Sequence, residues 1–292
     1  MRTFLTEFFG EFAYAPKDAA FLLAAYDQIM ANEQSAARFG EALAAYDADL
    51  NCDFGQAMHR ARQAGDAVGV HNYTAELLLF ICFAKKLRER YEENGLPREI
   101  WHDSMLDLKY KLDECLVVCG ICGSFVAGWF PGFFNLTRFA LGRLQFEIHE
   151  FDNDYQAGDV LITKGTKAIN MHIPRSGEPL SKELYEDAFA RAKVFYKDTF
   201  PGMDKVPFIC HSWLLYPDTA NFVPAHLNVY KFLSEFTVFE SHYNDGEDLW
   251  RLFDTMERHP DRLPTNTSLR RAFVEHLQRG GRVGWGFGIL FR

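Results

Sequence analysis

The chain has 292 residues, 48% of them hydrophobic, and a formal net charge of −9 at pH 7. This length suffices for one large domain or two smaller ones with a buried core. An acidic chain without a basic run is poorly suited to nucleic acid or to anionic membranes, so we expect neither as a partner. No stretch approaches the roughly 20 apolar residues of a membrane span, and we expect none.

The N-terminal sequence and the cysteines are typical of a cytoplasmic protein. Acidic and polar residues interrupt the first seven positions, unlike the apolar region of a signal peptide. Six cysteines in a chain of this length do not indicate a disulfide framework. The 28 phenylalanines indicate a bulky core or a wide apolar pocket.

The first hundred residues follow a helical period. Apolar residues recur every three to four positions in three segments, 16–30, 34–46 and 72–91. Asn94, Gly95 and Pro97 end the third helix, because glycine and proline break helical hydrogen bonding. We take this break as a domain boundary, and we expect a helical domain over 1–97 and a second domain over 98–292.

From residue 143 onward the apolar period changes from 3.6 to 2. After a helix at 101–119, strands are predicted at 143–151, 159–163, 168–173, 207–215, 237–243 and 283–291. Helices are predicted at 181–197, 228–236, 248–256 and 268–279. The strands at 159–163 and 168–173 are expected to form a hairpin. This order predicts an α+β fold, in which a helical N-terminal domain precedes a mixed β-sheet flanked by helices.

Five segments carry a resemblance to a known family. They are GICGSFV at 120–126, WFPGFF at 129–134, TRFALGRLQFE at 137–147, INMHIP at 169–174 and CHSWLLYP at 210–217. They resemble bacterial acyltransferase domain-containing proteins, which join a helical N-acyltransferase N-terminal domain to a GNAT-like C-terminal domain. The resemblance implies transfer of an acyl group from acetyl-CoA, or a longer acyl-CoA, to an amine or hydroxyl. The acceptor would be a small molecule, a peptide or a protein.

The resemblance also implies a place for the acyl donor. The strand at 168–173 would pair with the pantetheine arm of CoA. The backbone of Met171 and Ile173 would clamp this arm, and Asn170 and His172 would lie beside it. The strand at 168–173 is the one that precedes the predicted helix at 181–197.

The loop after that strand would hold the pyrophosphate. A turn before a helix N-terminus presents free N–H groups and the positive end of the helix dipole. Arg175, Ser176 and Gly177 would add a cation, a hydroxyl and room for a phosphate. The loop departs from the usual Arg/Gln-x-x-Gly-x-Gly/Ala pattern, since its glycine comes one position early and Pro179 lacks an N–H. A plain strand-to-helix turn stays open as an alternative.

A polar strand face supplies the best candidates for acid–base chemistry. Glu147 and His149 alternate along one predicted strand, and Asn170 and His172 alternate along a nearby one. Glutamate or histidine can take a proton from an attacking amine when its pKa lies near the working pH. We therefore expect Glu147 or His149 as the general base. The alternative is an ordinary solvent-facing strand.

Two further residues are candidates for the general acid that protonates the leaving thiolate. His211 lies in the predicted buried strand, and Tyr216 follows that strand. A lone histidine in such a strand is more often a satisfied core residue than a catalyst. Gly284, Gly286 and Gly288 alternate along the last strand, and we favour close packing there over approach of a ligand.

Three cysteines raise a different possibility. Cys115, Cys119 and Cys122 have the Cys-x-x-x-Cys-x-x-Cys spacing by which radical-SAM enzymes hold an iron–sulfur cluster. The first two end an amphipathic helix, so we favour small buried side chains and expect no metal. An iron–sulfur protein stays a remote alternative. A second alternative is a non-catalytic module that binds CoA, pantetheine or a partner protein, which the irregular phosphate loop favours.

Overall fold

The computed structural model describes residues 1–292, except for the side chain of Ala157. The chain divides into two compact units, residues 1–139 and 140–292. Across the described residues, every helix is too short or too polar to span a membrane.

The first unit is helical. Its helices are α1 (Arg2–Glu11), α2 (Pro16–Ala31), α3 (Glu33–Ala48), α4 (Phe54–Asp66), α5 (Asn72–Glu93), α6 (Arg98–Cys119) and α7 (Pro131–Phe134). The predicted helices at 16–30, 34–46 and 72–91 correspond to α2, α3 and α5, whereas α1 and α4 were not predicted. The buried residues of α4 are alanines and one glycine, which give little apolar contrast to reveal a period.

The helix α5 lies at the centre of this unit. All residues from Thr74 to Ala84 are buried, so its first turns are enclosed on every side, and only its later turns are amphipathic. It packs against α1, α2, α3, α4 and α6. The connection at 94–97, where a domain boundary was expected, joins α5 to α6 inside this unit. A Gly/Pro break ends a helix equally well when the chain turns back into the same core.

A six-stranded mixed sheet follows. Its strands are β1 (Arg138–Leu141), β2 (Leu144–Glu150), β5 (Lys167–His172), β6 (Pro207–Ser212), β7 (Thr237–Tyr243) and β8 (Gly284–Phe291), in the order β1-β2-β5-β6-β8-β7. β5 and β6 are parallel, whereas β2 with β5, β6 with β8 and β7 with β8 are antiparallel. The remaining helices are α8 (Lys182–Phe195), α9 (Thr219–Phe222), α10 (Asn228–Leu233), α11 (Trp250–Phe253) and α12 (Ser268–Gln278). The α+β prediction is confirmed.

A separate two-stranded hairpin corrects one predicted pairing. It consists of β3 (Tyr155–Ala157) and β4 (Val160–Ile162), joined by a turn in which Gly158 has a φ of +57°. The predicted hairpin of 159–163 with 168–173 was therefore wrong, because β4 pairs with β3 and β5 pairs with β2. The two-residue turn at 158–159 is tighter than the four-residue connection at 163–166 and favours the pairing of β3 with β4.

The two faces of the sheet are covered differently. On one face, the Phe189 ring of α8 lies 6.4 Å from Phe146 and 4.8 Å from Phe208. On the opposite face, Ile162 of the hairpin packs into a buried cluster with Ala168 and Ile209. The hairpin covers only part of this second face, and the polar side chains of β2 and β5 lie on the same side.

Close packing explains the alternating glycines of β8. The 3₁₀ turn at Trp213–Leu215 lies against this strand, and a Cβ on Gly286 would sit 2.1 Å from the carbonyl oxygen of Leu215. A Cβ on Gly288 would meet the Leu215 side chain at 3.1 Å. The sequence favoured close packing over ligand approach, and the nearest neighbour of Gly286 is the backbone of Leu215.

We expect Gly286→Ala to lower the free energy of unfolding by about 1–3 kcal/mol, because the backbone at Leu215 would have to move. Urea denaturation followed by circular dichroism would measure this loss. Gly40→Ala in α3 is the control, since a Cβ there meets no described heavy atom within 4 Å. That change should stabilise by about 0.5–1 kcal/mol. Wild-type stability in Gly286→Ala would contradict the close approach of the 3₁₀ turn.

Candidate functional site

The carboxyl ends of β5 and β6 form a natural place for a ligand. Their parallel register runs from Ile169–Phe208 to Met171–Cys210. Both strands continue beyond these pairs, to His172 and Ser212, but the described residues show no further β5–β6 pairing. The facing backbone edges are therefore open to a ligand. Ligands of open α/β sheets commonly bind outside the carboxyl ends of parallel strands.

A hydrogen-bonded polar group lies beside this opening. The register of β2 and β5 places Glu147 opposite Asn170, with His172 on the same face. Glu147 Oε1 lies 2.8 Å from His172 Nε2 and accepts from Asn170 Nδ2 at 3.2 Å. The side chains of His172 and Glu147 are 17% and 20% exposed. When Nε2 carries the proton donated to Glu147, Nδ1 is the acceptor nitrogen of the neutral imidazole.

His149 lies on the same face but in different surroundings. Its ring lies 4.9 Å from Phe151 and 5.9 Å from Phe287. Desolvation lowers the pKa of His149, and the charges of Asp152 and Glu147 oppose this shift. The structure thus brings Glu147 together with Asn170 and His172, and places His149 among aromatic rings beside them.

His211 occupies the exposed end of β6, not the core position expected from the sequence. The predicted strand at 207–215 ends at Ser212, because the chain turns into the 3₁₀ helix there. The His211 ring lies 3.9 Å from Trp285 and 5.9 Å from Phe287. Desolvation lowers its pKa, with the charges of Asp248 and Glu240 opposing the shift. A neutral imidazole suits a proton acceptor better than the acid role expected.

A second histidine–carboxylate pair was missed from the sequence. His242 Nε2 lies 2.7 Å from Glu240 Oε1, and the His242 ring lies 4.5 Å from Trp285. Glu240 and His242 stand two residues apart on β7, and this spacing along a strand could have revealed them. His211, Trp285 and His242 therefore form a row across three neighbouring strands.

Tyr216 is not brought to this group. A Cβ on Gly284 would lie 2.9 Å from Tyr216 Cδ2, so the tyrosine packs against that glycine. Successive residues of a strand face opposite sides, so Gly284 and Trp285 point to different faces of the sheet. Tyr216 therefore lies on the face opposite Trp285.

The predicted phosphate loop has a different arrangement from the one expected. Arg175 Nη1 lies 2.7 Å from Asp254 Oδ1, so the expected phosphate cation is held in an ion pair. Ser176 Oγ accepts from the Glu178 N–H at 3.3 Å, which forms a local turn. Gly177 is exposed and has a φ of +82°, a conformation that favours glycine.

A buried arginine beneath this loop was also missed. Arg143 Nη1 donates to the carbonyl of Pro174 at 3.0 Å, and its Nε donates to the carbonyl of Pro179 at 3.4 Å. In the sequence, Arg143 begins the predicted strand at 143–151 and alternates with its apolar residues, as Glu147 and His149 do. No local pattern could have revealed a contact more than thirty residues away.

The three cysteines of the first unit do not converge on a common point. Cys115 and Cys119 hydrogen-bond to each other, whereas Cys122 Sγ lies 4.0 Å from the carbonyl of Asp18. Desolvation raises the pKa of Cys115 and of Cys122 to about 12, which keeps both thiols protonated. Among the residues that the structure describes, no group of three or more His, Cys, Asp or Glu side chains could hold a metal. The iron–sulfur alternative therefore lacks its ligand set.

A separate cleft of about 510 Å³ lies between α9 and α12. Its walls include Phe222, His226, Arg271 and His276, and they include none of the polar group on β2 and β5. Among the described contacts, neither His226 nor His276 pairs with a carboxylate as His172 does. The polar group beside the β5–β6 opening is therefore the stronger candidate for a reactive site.

Two family models together match almost the whole chain. An N-acyltransferase N-terminal domain matches residues 3–136, and a GNAT-like C-terminal domain matches residues 138–290. These matches confirm the resemblance carried by the five sequence segments. No curated protein matches the chain.

Three solved structures share the fold. An acyltransferase crystallised with decanoyl-CoA and teicoplanin is 21% identical, with a TM-score of 0.75, over 98% of this chain and 87% of the other. An acyltransferase with decanoyl-CoA is 23% identical, with a TM-score of 0.63, over 78% and 67% of the two chains. A third, with CoA and 10C-teicoplanin, is 21% identical, with a TM-score of 0.65, over 81% and 77%.

The pKa of His211 gives a direct test of the site's electrostatics. Because it lies below the ordinary value of 6.5, the unfolded chain binds a proton there more readily than the folded protein does. This residue's contribution to stability therefore decreases as the pH falls from 6.5 through the lowered pKa. We expect Trp285→Leu to move the His211 pKa back towards 6.5, because the ring that desolvates it is removed.

An NMR titration of the histidine ring protons would measure this shift. His211→Gln would identify the His211 resonance by its disappearance. A wild-type His211 pKa at or above its ordinary value, or one that Trp285→Leu leaves unchanged, would contradict the described packing.

Proposed function

Because the chain belongs to the family with an N-acyltransferase N-terminal domain and a GNAT-like C-terminal domain, we propose that it is an acyl-CoA-dependent acyltransferase. The observation that carries this proposal is the polar group of Glu147, Asn170 and His172 beside the β5–β6 opening. The presence of decanoyl-CoA or CoA in the structures that share this fold supports acyl-CoA as the donor.

The open edge of β5 would hold the pantetheine arm of the donor. Pantetheine contains two amides, which can hydrogen-bond to strand backbone as another strand would. Met171 lies in the last β5–β6 pair and Ile173 lies past it, so their backbone groups would be the nearest ones to the arm. The arm would then lead to the loop at 174–180 and to the start of α8. Within the described residues Ser181 makes no side-chain cap on that helix, and the Glu183 carboxylate engages its own backbone N–H. The amides before Glu183 would therefore be the ones that reach the phosphate.

His172 is the proposed general base. Glu147 accepts the Nε2 proton of His172, orients the ring, and stabilises the imidazolium that forms. Asn170 donates to the same carboxylate oxygen and keeps it in place. This arrangement refines the sequence hypothesis, in which Glu147 or His149 was the base and His172 only lay beside the donor.

The reaction follows from these positions. His172 Nδ1 would take a proton from the acceptor amine as its nitrogen attacks the thioester carbonyl. A new C–N bond forms, and the tetrahedral intermediate collapses with loss of the C–S bond. The thiolate of CoA then takes up a proton, which balances the one held by the imidazolium.

We propose a small molecule with a primary amine as the acceptor. The part of the polar face that the hairpin leaves uncovered carries His211 and the partly buried Trp285, with the Glu240 carboxylate on the next strand. An aromatic ring beside a carboxylate can attract the cationic form of an amine by both cation–π and charge attraction, and this form would lose one proton to solvent before the neutral amine attacks. Teicoplanin, a small-molecule ligand of two structures with this fold, supports this acceptor class.

A non-catalytic CoA-binding module is the second candidate. The Arg175–Asp254 ion pair favours it, because the expected phosphate cation is already engaged. Such a module would bind CoA without consuming a thioester. Turnover therefore separates the two candidates.

We expect acetyl-CoA, decanoyl-CoA or CoA to raise the melting temperature of the protein, because a ligand that binds only the folded state stabilises it. The donor that stabilises the protein most would then be mixed with a panel of primary amines. Release of free thiol and mass spectrometry of the product would show acyl transfer. No stabilisation by any donor at millimolar concentration would contradict the proposal, and stabilisation without turnover would favour the binding module.

In the active protein, we expect His172→Gln to lower kcat by about 10²–10⁴-fold, the usual contribution of a general base. The KM for acyl-CoA should change little, because the donor is held by backbone. His226→Gln, in the separate cleft, is the matched control and should keep wild-type rates. A His172→Gln enzyme with wild-type kcat would remove His172 from the mechanism.

A further inference from the structure

Arg143 lies in a tight turn, and its side chain contacts a loop more than thirty residues away in the sequence. It is the second residue of the two-residue connection between β1 and β2, and Gly142 before it has a φ of +73°. A positive φ at the first turn position is typical of the type II′ hairpin turn. The Arg143 residue is only 8% exposed, although the charge of an arginine normally keeps it in water.

The buried guanidinium binds both ends of the loop at 174–179. It donates to the carbonyl of Pro174 from Nη1 and to the carbonyl of Pro179 from Nε. A proline has no N–H, so its backbone can only accept. The planar fork of arginine can hold two carbonyls at once, whereas the compact ammonium of lysine cannot copy that geometry.

These two hydrogen bonds fix the direction of the neighbouring amides. The C=O and the N–H of one trans peptide unit point in opposite directions. Because the carbonyls of Pro174 and Pro179 point to Arg143, the N–H groups of Arg175 and Leu180 point to the other side of the loop. Leu180 directly precedes Ser181, the N-cap of α8, so its amide lies at the start of that helix, where the Ser181 side chain makes no cap.

We propose that Arg143 is a positioning residue for the pyrophosphate of the donor, an inference that rests on the proposed acyl-CoA-dependent function. The loop cation expected from the sequence, Arg175, is paired with Asp254, so backbone amides must supply most of the phosphate contacts. Arg143 turns those amides towards the ligand without touching it.

The test compares two donors that differ only in the nucleotide part. One is acyl-CoA, and the other is the matching acyl-pantetheine, which has the same thioester and arm but no pyrophosphate. For Arg143→Gln we expect the KM for acyl-CoA to rise roughly tenfold, since two hydrogen bonds to a charged group are lost. Arg143→Lys should show a smaller rise, because one contact can be kept. kcat with acyl-CoA should stay within about twofold, and neither variant should change the KM for acyl-pantetheine.

Arg191→Gln is the matched control. Arg191 is exposed, pairs with Asp187 at 2.7 Å and lies near Gly142. Its substitution removes a nearby positive charge, and the described contacts of Arg191 do not include the loop at 174–179. It should leave the KM values for both donors unchanged. Melting curves of all variants would show whether they are folded, and Arg143→Lys decides the question if Arg143→Gln unfolds.

Two results would overturn the positioning role. One is an unchanged KM for acyl-CoA in a folded Arg143 variant whose wild-type parent is active. The other is an equal rise in KM for both donors, which would indicate a general structural defect. A wild-type protein that neither binds nor consumes acyl-CoA would contradict the proposed function, and this inference with it. That outcome is distinguishable from the two results above, in which the wild-type protein is active.

Discussion

The parallel pairing of β5 with β6 extends over three residue pairs and is not continued among the described residues beyond Met171 and Cys210. The proposed site for the acyl donor depends on this short pairing. Hydrogen-bonding groups of a sheet that find no neighbouring strand need another partner, and an amide-containing ligand can supply one. The same point in the sheet brings the ends of β2 and β5 together, which places a carboxylate, an amide and an imidazole beside the open edges.

The charge distribution divides the donor site into two parts. On the sheet face, the Glu147 carboxylate lies 2.8 Å from His172 Nε2 and fixes the direction of the imidazole ring. In the loop after β5, the exposed Arg175 is paired with Asp254, while the buried Arg143 donates to the carbonyls of Pro174 and Pro179. The loop can therefore present backbone N–H groups in place of a free cation. Backbone N–H groups could therefore bind the pyrophosphate, although the loop lacks the usual glycine pattern.

Much of the fold could be predicted because strand and helix periods are local properties. The period of 2 after residue 143 and the period of 3.6 at 72–91 both match the structure. The candidate site was harder to predict, because its contacts join strands that are far apart in the sequence. Glu147, Asn170 and His172 were all named from alternation, but their contact depends on the register of β2 and β5. The sequence could not show that β6 ends at Ser212, since the apolar residues 213–215 continue the strand pattern into a 3₁₀ turn.

The central claim is that acyl-CoA binds along the open edge of β5 and across the following loop. Titration of ¹⁵N-labelled protein with CoA, followed by amide chemical shifts, tests this claim most directly. The account predicts that the amides of Ile173, Arg175 and Leu180 shift together and saturate at one dissociation constant. Shifts confined to the cleft between α9 and α12, around His226 and Arg271, would contradict it.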